Sequence, residues 1–410
     1  MVIIGAGLTG LSCAVRLHEA GLRVLLLEAD RAIGGRVQTD QVEGFLLDRG
    51  FQVYLDAYPT AGNLLDLDSL GLGKFEPGAL VWKGGKFRRV MDVWRRPKSA
   101  LTSALQPIGN LFDKLRVARL RYRLRATPIA KLWAKSESTS EQYLADLGFS
   151  KGMIDTFFRP FYGGIFLERG LATSSRMFEF TFKMFSEGSA TLPASGMQAI
   201  PLQLAARLPE GTIRLETAVL GLRAGAVELA RGEAIPADHI VVATDGDQAA
   251  TWLGAEVKAP KWQSVLGLYF DAPASPLGEP IIALNGDGQG LVNNVSVPSD
   301  VSPHYAPAGR SLVSVSVLGS PDESNLEARV KSELTTWFGP EVADWRHLAT
   351  YRIRKALPAP SPAEDFPGKA CQNLGNGLYV AGDHLTCGSI EGAVTSGLET
   401  AEAILRKPVF

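Results

Sequence analysis

Three glycines near the start of the chain have the spacing of a nucleotide-binding turn. Gly5, Gly7 and Gly10 stand between a short apolar run and a helical pattern. In such a turn the first glycine permits a sharp bend, the second lets the backbone approach a pyrophosphate, and the third lets helix and strand pack closely. The free N–H groups at the helix start, including those of Leu8 and Thr9, would then face the phosphates. The spacing therefore predicts a dinucleotide site at this turn.

A carboxylate stands at the end of the next apolar run. Glu28 follows Gly10 by 18 residues and closes the stretch 24–27, which has the continuous apolar character of a buried parallel strand. A carboxylate at that place accepts a hydrogen bond from a ribose hydroxyl, and an acid rather than an arginine disfavours a 2′-phosphate. Together the two segments predict a βαβ unit.

A second glycine-rich segment helps to distinguish between dinucleotides. Gly34, Gly35 and Arg36 follow Glu28 closely. Two adjacent glycines allow a loop to lie against a cofactor, and the arginine can pair with a phosphate. A nicotinamide cofactor does not require this additional contact, so the segment favours FAD.

The C-terminal segment offers contacts suited to the far end of FAD. An apolar run ends in Gly382 and Asp383, and a helix is predicted from Ile390 onward. The Asp383 carboxylate can bind a ribitol hydroxyl, and the positive end of the helix can stabilise negative charge at the N1–C2=O edge of a flavin. His384 is a candidate catalytic residue, although a hydrogen-bonded supporting role is the simpler interpretation.

These motifs together resemble the FAD-dependent amine oxidase superfamily, in the branch of phytoene desaturases and protoporphyrinogen oxidases. The matching segments run through the whole chain: VIIGAGLTGLSCA, LLLEADRAIGGRV, LDRGFQVY, LPASGMQAIPLQLA, HIVVATD and GLYVAGDHLTCGSIEGAVTSG. The resemblance implies an α/β protein. A discontinuous Rossmann-like FAD-binding domain (1–75, 190–258 and 370–410) would carry an inserted α+β substrate-binding domain (76–189 and 259–369).

The resemblance also implies which residues contact a non-covalently bound FAD. They come from all parts of the FAD-binding domain: Gly5, Gly7, Leu8, Thr9, Gly10, Glu28, Gly34, Gly35, Arg36, Val219, Gly382, Asp383, Ser389 and Ile390. By the same resemblance, Gly50, Phe51 and Gln52 would lie near the isoalloxazine ring.

Two positions depart from the amine-oxidising members of the superfamily. Those members usually carry a lysine in the strand that here spans 265–270, and often an aromatic residue where this chain has Ser389. The departures favour a desaturase or dehydrogenase that transfers a hydride from an apolar substrate to the flavin and leaves a C=C bond. An amine oxidase that forms C=N, and a flavin-binding protein without turnover, are the alternatives. Oxygen and quinone are both open as electron acceptors.

Two further patterns are open to more than one interpretation. Residues 83–135 hold fifteen Lys or Arg against two acids, and an apolar stripe at helical spacing lies within them: Leu111, Leu115, Ala118 and Tyr122. A basic amphipathic helix predicts peripheral membrane contact, whereas the alternative is a helix docked on the protein with a charged outer face. The aromatic residues of the second pattern could line a substrate tunnel or form plain core: Phe158, Phe161, Tyr162 and Phe166.

Net charge and cysteine content argue against nucleic-acid binding and against a metal or disulfide framework. A net charge of −1 over 410 residues gives no drive towards nucleic acid, and no metal-ligand cluster is evident. The three cysteines form no CxxC pair, and Cys387 has no convincing role as a flavin tether. A cytoplasmic protein is expected, with membrane contact through 83–135 as the open question. The glycine motif starts at residue 5, so whether residues precede Met1 is also open.

Overall fold

The glycine turn joins the first strand to the first helix of a parallel sheet. In the computed structural model, which describes residues 1–96, 108–223, 225–359 and 369–406, β1 (Val2–Ile4) leads into α1 (Leu8–Glu19). The next strand, β2 (Leu25–Leu27), lies parallel to β1. The predicted βαβ unit is therefore confirmed, with the helix starting three residues before the apolar periodicity suggests.

The remaining elements follow in chain order. Up to residue 96 they are β3 (Thr39–Val42), β4 (Phe45–Asp48), β5 (Tyr54–Leu55), α2 (Pro59–Leu64), β6 (Gly73–Lys74), β7 (Gly78–Trp82) and β8 (Phe87–Met91). From 108 to 206 they are α3 (Leu111–Ala126), α4 (Ile129–Trp133), α5 (Ser140–Asp146), α6 (Lys151–Met153) with a π-helical turn (Ile154–Phe158), α7 (Arg159–Phe166), α8 (Ser175–Glu187), β9 (Ala190–Leu192) and α9 (Ala199–Ala205).

The second half of the chain contains most of the strands. They and their helices are β10 (Ile213–Arg214), β11 (Val219–Arg223), β12 (Ala226–Leu229), β13 (Ala234–Pro236), β14 (Ile240–Val242), α10 (Gly246–Leu253), β15 (Trp262–Ala272), β16 (Ile282–Asn285), β17 (Val292–Ser296), α11 (Pro298–Val301), β18 (Ser311–Leu318), α12 (Leu326–Phe338), β19 (Arg346–Pro358), β20 (Cys371–Gly375), β21 (Leu378–Ala381) and α13 (Ile390–Leu405).

A six-stranded sheet contains the strands that flank the nucleotide motifs. Its order is β10-β2-β1-β14-β21-β20, and only β20 runs antiparallel to its neighbour. Parallel strands place their carboxyl ends at one edge, so the glycine turn after β1, Glu28 after β2 and Asp383 after β21 meet there. The α/β fold class with a Rossmann-like sheet is confirmed.

A seven-stranded sheet has the order β19-β15-β18-β17-β16-β7-β8. The predicted strands at 265–270 and 312–318 pair antiparallel within it. Their alternate apolar side chains, among them Leu268 and Val315, pack against α12 in one cluster. The opposite face of the sheet turns towards the segment around Gly50. The boundaries between the FAD-binding and the substrate-binding domain stay a prediction.

Two local predictions are wrong. The short apolar segments 213–215 and 227–229 predict a hairpin-like pair from the sequence, but they do not pair, because β10 joins the parallel sheet beside β2 while β12 pairs with β11 and β13. Hydrophobic pattern alone could not separate these partners. The basic segment 83–135 is also less helical than expected, since 87–91 form β8. Among the described helices, none has the length and apolar character needed to span a bilayer.

Candidate active site

The glycine turn is shaped by three different steric demands. Gly5 has φ of +104°, and a Cβ there would lie 2.7 Å from the Ala243 carbonyl oxygen. A Cβ on Gly10 would lie 1.9 Å from the Gly5 carbonyl oxygen. Gly7 differs from both, because a Cβ built on it would meet no atom within 4 Å. Gly5 and Gly10 are therefore required by the protein itself, whereas Gly7 borders open space.

The space beside Gly7 has the donors that a pyrophosphate needs. Gly7 is the N-cap of α1, and no described side chain caps the helix, so its first N–H groups, at Leu8 and Thr9, are free for an anion. Gly34 bridges to Gly7 and donates its N–H to the Ala6 carbonyl at 2.8 Å. A Cβ on Gly35 would lie 3.4 Å from the Gly7 Cα. Two glycine segments thus form one cradle, and its shape and donors fit the pyrophosphate of FAD.

Glu28 stands beside this cradle at the end of β2. Its two carboxylate oxygens accept hydrogen bonds from the Ala6 N–H at 2.7 Å and the Asp30 N–H at 3.0 Å. Its carbonyl accepts from the Thr217 N–H at 2.8 Å, which brings the strand starting at Val219 alongside. The remaining carboxylate lone pairs are suited to a ribose hydroxyl.

Arg36 and Asp383 come together from segments about 350 residues apart in the chain. An Arg36 Nη lies 2.6 Å from an Oδ of the nearly buried Asp383, and its other Nη donates to the Ala356 carbonyl at 3.2 Å. Gln52 donates to the Arg36 carbonyl at 2.8 Å and holds the loop. Gly382 precedes Asp383 and donates its N–H to the Ser396 hydroxyl at 2.8 Å. The guanidinium and the carboxylate are the two groups that would bind phosphate and ribitol.

The start of α13 is fixed by hydrogen bonds that the sequence does not reveal. Ser389 is the N-cap, and its hydroxyl accepts from the Gly392 N–H at 3.0 Å, with Ile390 as the first helical residue. The buried Glu391 carboxylate accepts from the N–H groups of Thr60 and Ala61, both at 2.9 Å. Glu391 therefore joins α13 to α2. Sequence reasoning assigned it no role, because its partners lie about 330 positions away.

His384, the candidate catalytic residue, is partly buried and directly follows Asp383. Burial lowers the pKa of its imidazole, which favours the neutral ring. Its Nε2 has no hydrogen-bonding partner among the described residues. The ring lies beside Gly246 at the start of α10. The hydrogen-bonded supporting role, the simpler interpretation, therefore has no hydrogen bond at Nε2 among the described residues to support it.

The segment predicted to lie near the flavin ring touches the seven-stranded sheet through backbone atoms. Gly50 has φ of +89°, and a Cβ there would lie 2.6 Å from the Ile353 Cδ1. On β15, a Cβ on Gly267 would lie 3.4 Å from the Gly50 Cα. The neighbouring Phe51 ring packs edge-on against Phe75. The strand that carries a lysine in amine-oxidising members here faces Gly50 with Gly267.

A buried carboxylate supports this segment. Asp48 accepts hydrogen bonds from the Thr39 hydroxyl at 2.6 Å, the Met197 N–H at 2.9 Å and the Tyr305 hydroxyl at 2.8 Å. The Tyr269 hydroxyl donates to the Asp48 carbonyl at 2.8 Å. No cation is among these partners, and burial raises the pKa of Asp48 to about 6 in spite of the three donors.

This pKa predicts a pH-dependent stability. The unfolded carboxyl ionises near pH ~4, while the folded one ionises near pH 6, so the native state loses stability as the pH rises through this range, by about 2–3 kcal/mol. Asp48→Asn removes the titrating group. Between about pH 4.5 and about pH 7.5, the free energy of unfolding of this variant should therefore rise relative to that of the parent by about the same amount. Urea unfolding of both proteins at the two pH values measures the difference. Parallel pH profiles would contradict it.

A narrow apolar cavity lies beside the loop before α13. Its lining includes Phe166, Met177, Leu357 and Gly388. Of the predicted tunnel aromatics, Phe166 is therefore at the cavity. The others pack in the aromatic core or beside it: Phe158 and Tyr162 against Phe178, and Phe161 stacked on Phe157.

A comparison with known protein families identifies the family of this chain. The model of the family described as flavin containing amine oxidoreductase matches residues 8–405. The chain belongs to this family. By family it is a flavin-dependent oxidoreductase. The predicted superfamily is confirmed.

Individual relatives of this flavin oxidoreductase align with different fractions of the chain. Protoporphyrinogen oxidase 2 of Arabidopsis thaliana is 26% identical over 172 residues, which cover 40% of this chain and 32% of the relative. Hydroxysqualene dehydroxylase of Rhodopseudomonas palustris is 25% identical over an alignment of 450 positions, gaps included, which covers 98% of this chain and 97% of the relative. The chain spans a third or less of the length of the first curated relatives it matches.

Solved structures share the fold. The crystal structure of an oxidoreductase from Methanosarcina mazei superposes with a TM-score of 0.76 at 18% identity and covers 98% of this chain and 99% of that one. At this identity the similarity extends to the fold alone.

Proposed function

We propose that this flavin oxidoreductase removes a hydride from one carbon atom of an apolar organic substrate, that a proton leaves the neighbouring carbon to solvent or a base, and that a C=C bond results. The observation that carries the proposal is that β15, the strand expected to hold a lysine in an amine-oxidising relative, faces the Gly50 segment with Gly267. A Cβ on Gly267 would make ordinary van der Waals contact, at 3.4 Å, with the Gly50 Cα, and β15 carries no lysine that could reach the predicted flavin ring from this face.

The cavity lining and the helix cap support the same conclusion. Phe166, Met177 and Leu357 offer apolar contacts, and Ser389 is occupied as the N-cap of α13 where an aromatic residue would flank an amine. One relative that covers nearly the whole chain is named for hydroxysqualene. A lipophilic substrate is consistent with each of these features.

The chemistry divides between cofactor and protein. FAD supplies a hydride acceptor when it is bound. The chain holds it non-covalently through the glycine cradle, Glu28, Arg36 and Asp383. Burial raises the pKa of the Cys387 thiol to about 12, which disfavours the thiolate that a covalent tether would need. The side chains of Phe166, Met177 and Leu357 would form one apolar wall of a substrate site.

The electron acceptor and the location belong to the same proposal. Oxygen and quinone both remain candidates for reoxidation. The three cysteines are free, which favours a reducing compartment such as the cytoplasm. A lipophilic substrate would be met at a membrane, and peripheral contact through 83–135 would serve this.

An anaerobic mixing experiment tests the proposal. We expect benzylamine and spermine to leave the bound flavin oxidised, and a lipophilic compound with an activated C–H bond to bleach it. Full bleaching by dithionite is the control that the flavin is competent. Rapid bleaching by either amine would favour C=N formation, the second candidate function.

A further inference from the structure

The basic helix α3 does not pack on the protein through its apolar stripe; the stripe faces solvent. Its buried side carries Leu120 and Leu124, and the stripe predicted from the sequence points outward. Leu111 is 66% exposed, Leu115 59% and Tyr122 81%. Phe112 beside them is 67% exposed. Of the eight large apolar side chains that are exposed in the described part of the chain, four lie on this one helix.

A fifth such side chain comes from outside the helix. Trp94 is half exposed, and the Arg121 guanidinium of α3 lies 5.4 Å from the centre of its ring. Arg121 also pairs with Asp92 at 2.9 Å. The indole is therefore held beside α3, and the five side chains form one surface, called the α3 surface below. Contiguous exposed apolar groups of this kind mark interaction sites.

The charged side chains exposed on the outward face of α3 are all cationic. Arg119 and Arg125 are exposed among the apolar side chains. The single acid of the helix, Asp113, is fully buried, where it accepts hydrogen bonds from the Asn110 and Ser150 N–H groups, both at 2.8 Å. The outward face of the helix thus combines apolar and cationic groups without a carboxylate.

Polar contacts from beneath hold the helix in this orientation. Lys183 of α8 is buried and donates to the carbonyls of Leu124 and Arg125 at 3.1 and 2.9 Å, at the C-terminal end of α3. Arg123 pairs at 3.0 Å with the buried Glu179, also on α8. The orientation is therefore built by buried ion pairs and capping bonds, and the exposure of the stripe follows from it.

We infer that the α3 surface docks the protein on an anionic lipid bilayer, with the helix lying in the plane of the interface. An apolar stripe flanked by arginines, with a tryptophan at its edge, matches both the headgroup charge and the acyl boundary of such a bilayer. The helix also packs on α8, whose Met177 lines the apolar cavity. Docking here would place lipid close to the element that bounds the cavity. The inference concerns lipid binding alone and does not depend on the proposed reaction.

Vesicle sedimentation of the flavin-loaded full chain tests this inference. At low salt the parent should sediment with vesicles of equal parts phosphatidylglycerol and phosphatidylcholine, and much less with phosphatidylcholine alone. Added salt should release part of it, because exposed charges are screened. Leu115→Glu, and separately the pair Arg119→Glu with Arg125→Glu, should each weaken partitioning by about a factor of ten or more.

Matched variants control for general effects. Leu202→Glu changes an exposed leucine on another helix, and the pair Arg23→Glu with Arg329→Glu changes the net charge equally; both should bind vesicles like the parent. Flavin content and thermal melting report whether each variant is folded. Failure of the parent to sediment would overturn the inference. So would equal loss in the control variants, or a parent dimer that Leu115→Glu splits, since the surface would then bind a second copy.

Discussion

Gly7→Ala is expected to lose FAD while keeping the fold. A methyl group at Gly7 meets no protein atom within 4 Å, and the residue has φ of −73° and ψ of 178°, which alanine adopts without strain. The change should therefore leave the stability of the cofactor-free protein unchanged or raise it by about 0.4–1 kcal/mol. The same methyl group would occupy the space assigned to the pyrophosphate. Losing one or two charge-assisted hydrogen bonds should weaken FAD binding by about 3 kcal/mol, roughly a hundredfold.

The neighbouring glycines make this result specific. Gly10→Ala would place a Cβ 1.9 Å from the Gly5 carbonyl oxygen, so it should lower both the flavin content and the melting temperature. Gly62→Ala in α2, whose Cβ would be 3.8 Å from the nearest atom, should change neither quantity for the worse. Flavin released by acid and measured by fluorescence gives the content. If Gly7→Ala retains FAD as the parent does, the pyrophosphate does not lie at this turn.

Glu391→Ala is expected to destabilise the protein by about 2–4 kcal/mol. The substitution leaves the buried N–H groups of Thr60 and Ala61 without their acceptors, and each such group costs about 1–3 kcal/mol. It also releases α13 from α2, so the helix that points at the predicted flavin edge should be less well fixed. Urea unfolding measures the loss, and a shift of the bound-flavin absorption spectrum reports the local change.

An exposed glutamate in an equivalent helical position provides the control. Glu327 lies in the first turn of α12 and is half exposed, with only a long contact of 3.7 Å to His347. Glu327→Ala should cost at most about 0.5 kcal/mol. Glu391→Gln keeps one acceptor and should fall between the parent and Glu391→Ala. Equal small losses for all three variants would mean that the link between α13 and α2 contributes little.

The nucleotide motifs could be predicted from sequence because each is local. The turn at Gly5–Gly10, the strand before Glu28 and the helix after Ser389 depend on residues within one or two turns of chain. Helix α13 spans the predicted residues, and the strands at 265–270 and 312–318 were recognisable from their apolar character. Spacing of glycines and length of apolar runs were sufficient for these elements.

The contacts between distant segments could not be predicted in this way. The pairing of β10 with β2, and the bonds of Glu391 to α2, join residues about 190 and 330 positions apart. The α3 stripe shows a related problem. Helical spacing identified the apolar line correctly, but which side of the helix is buried depends on Lys183 and Glu179 of α8. The spacing of apolar residues shows which of them share a helix face, but tertiary contacts decide whether that face is buried or exposed.

The central claim is that the flavin of this oxidoreductase takes a hydride from carbon and leaves C=C in an apolar substrate. A single-turnover experiment without an electron acceptor tests it most directly, with long isoprenoid hydrocarbons as the substrates. We predict that a substrate which bleaches the flavin yields, by mass spectrometry, one product molecule two hydrogens lighter for each flavin reduced. Flavin bleached by an amine, with an imine or its hydrolysis product formed and every hydrocarbon recovered unchanged, would contradict the account.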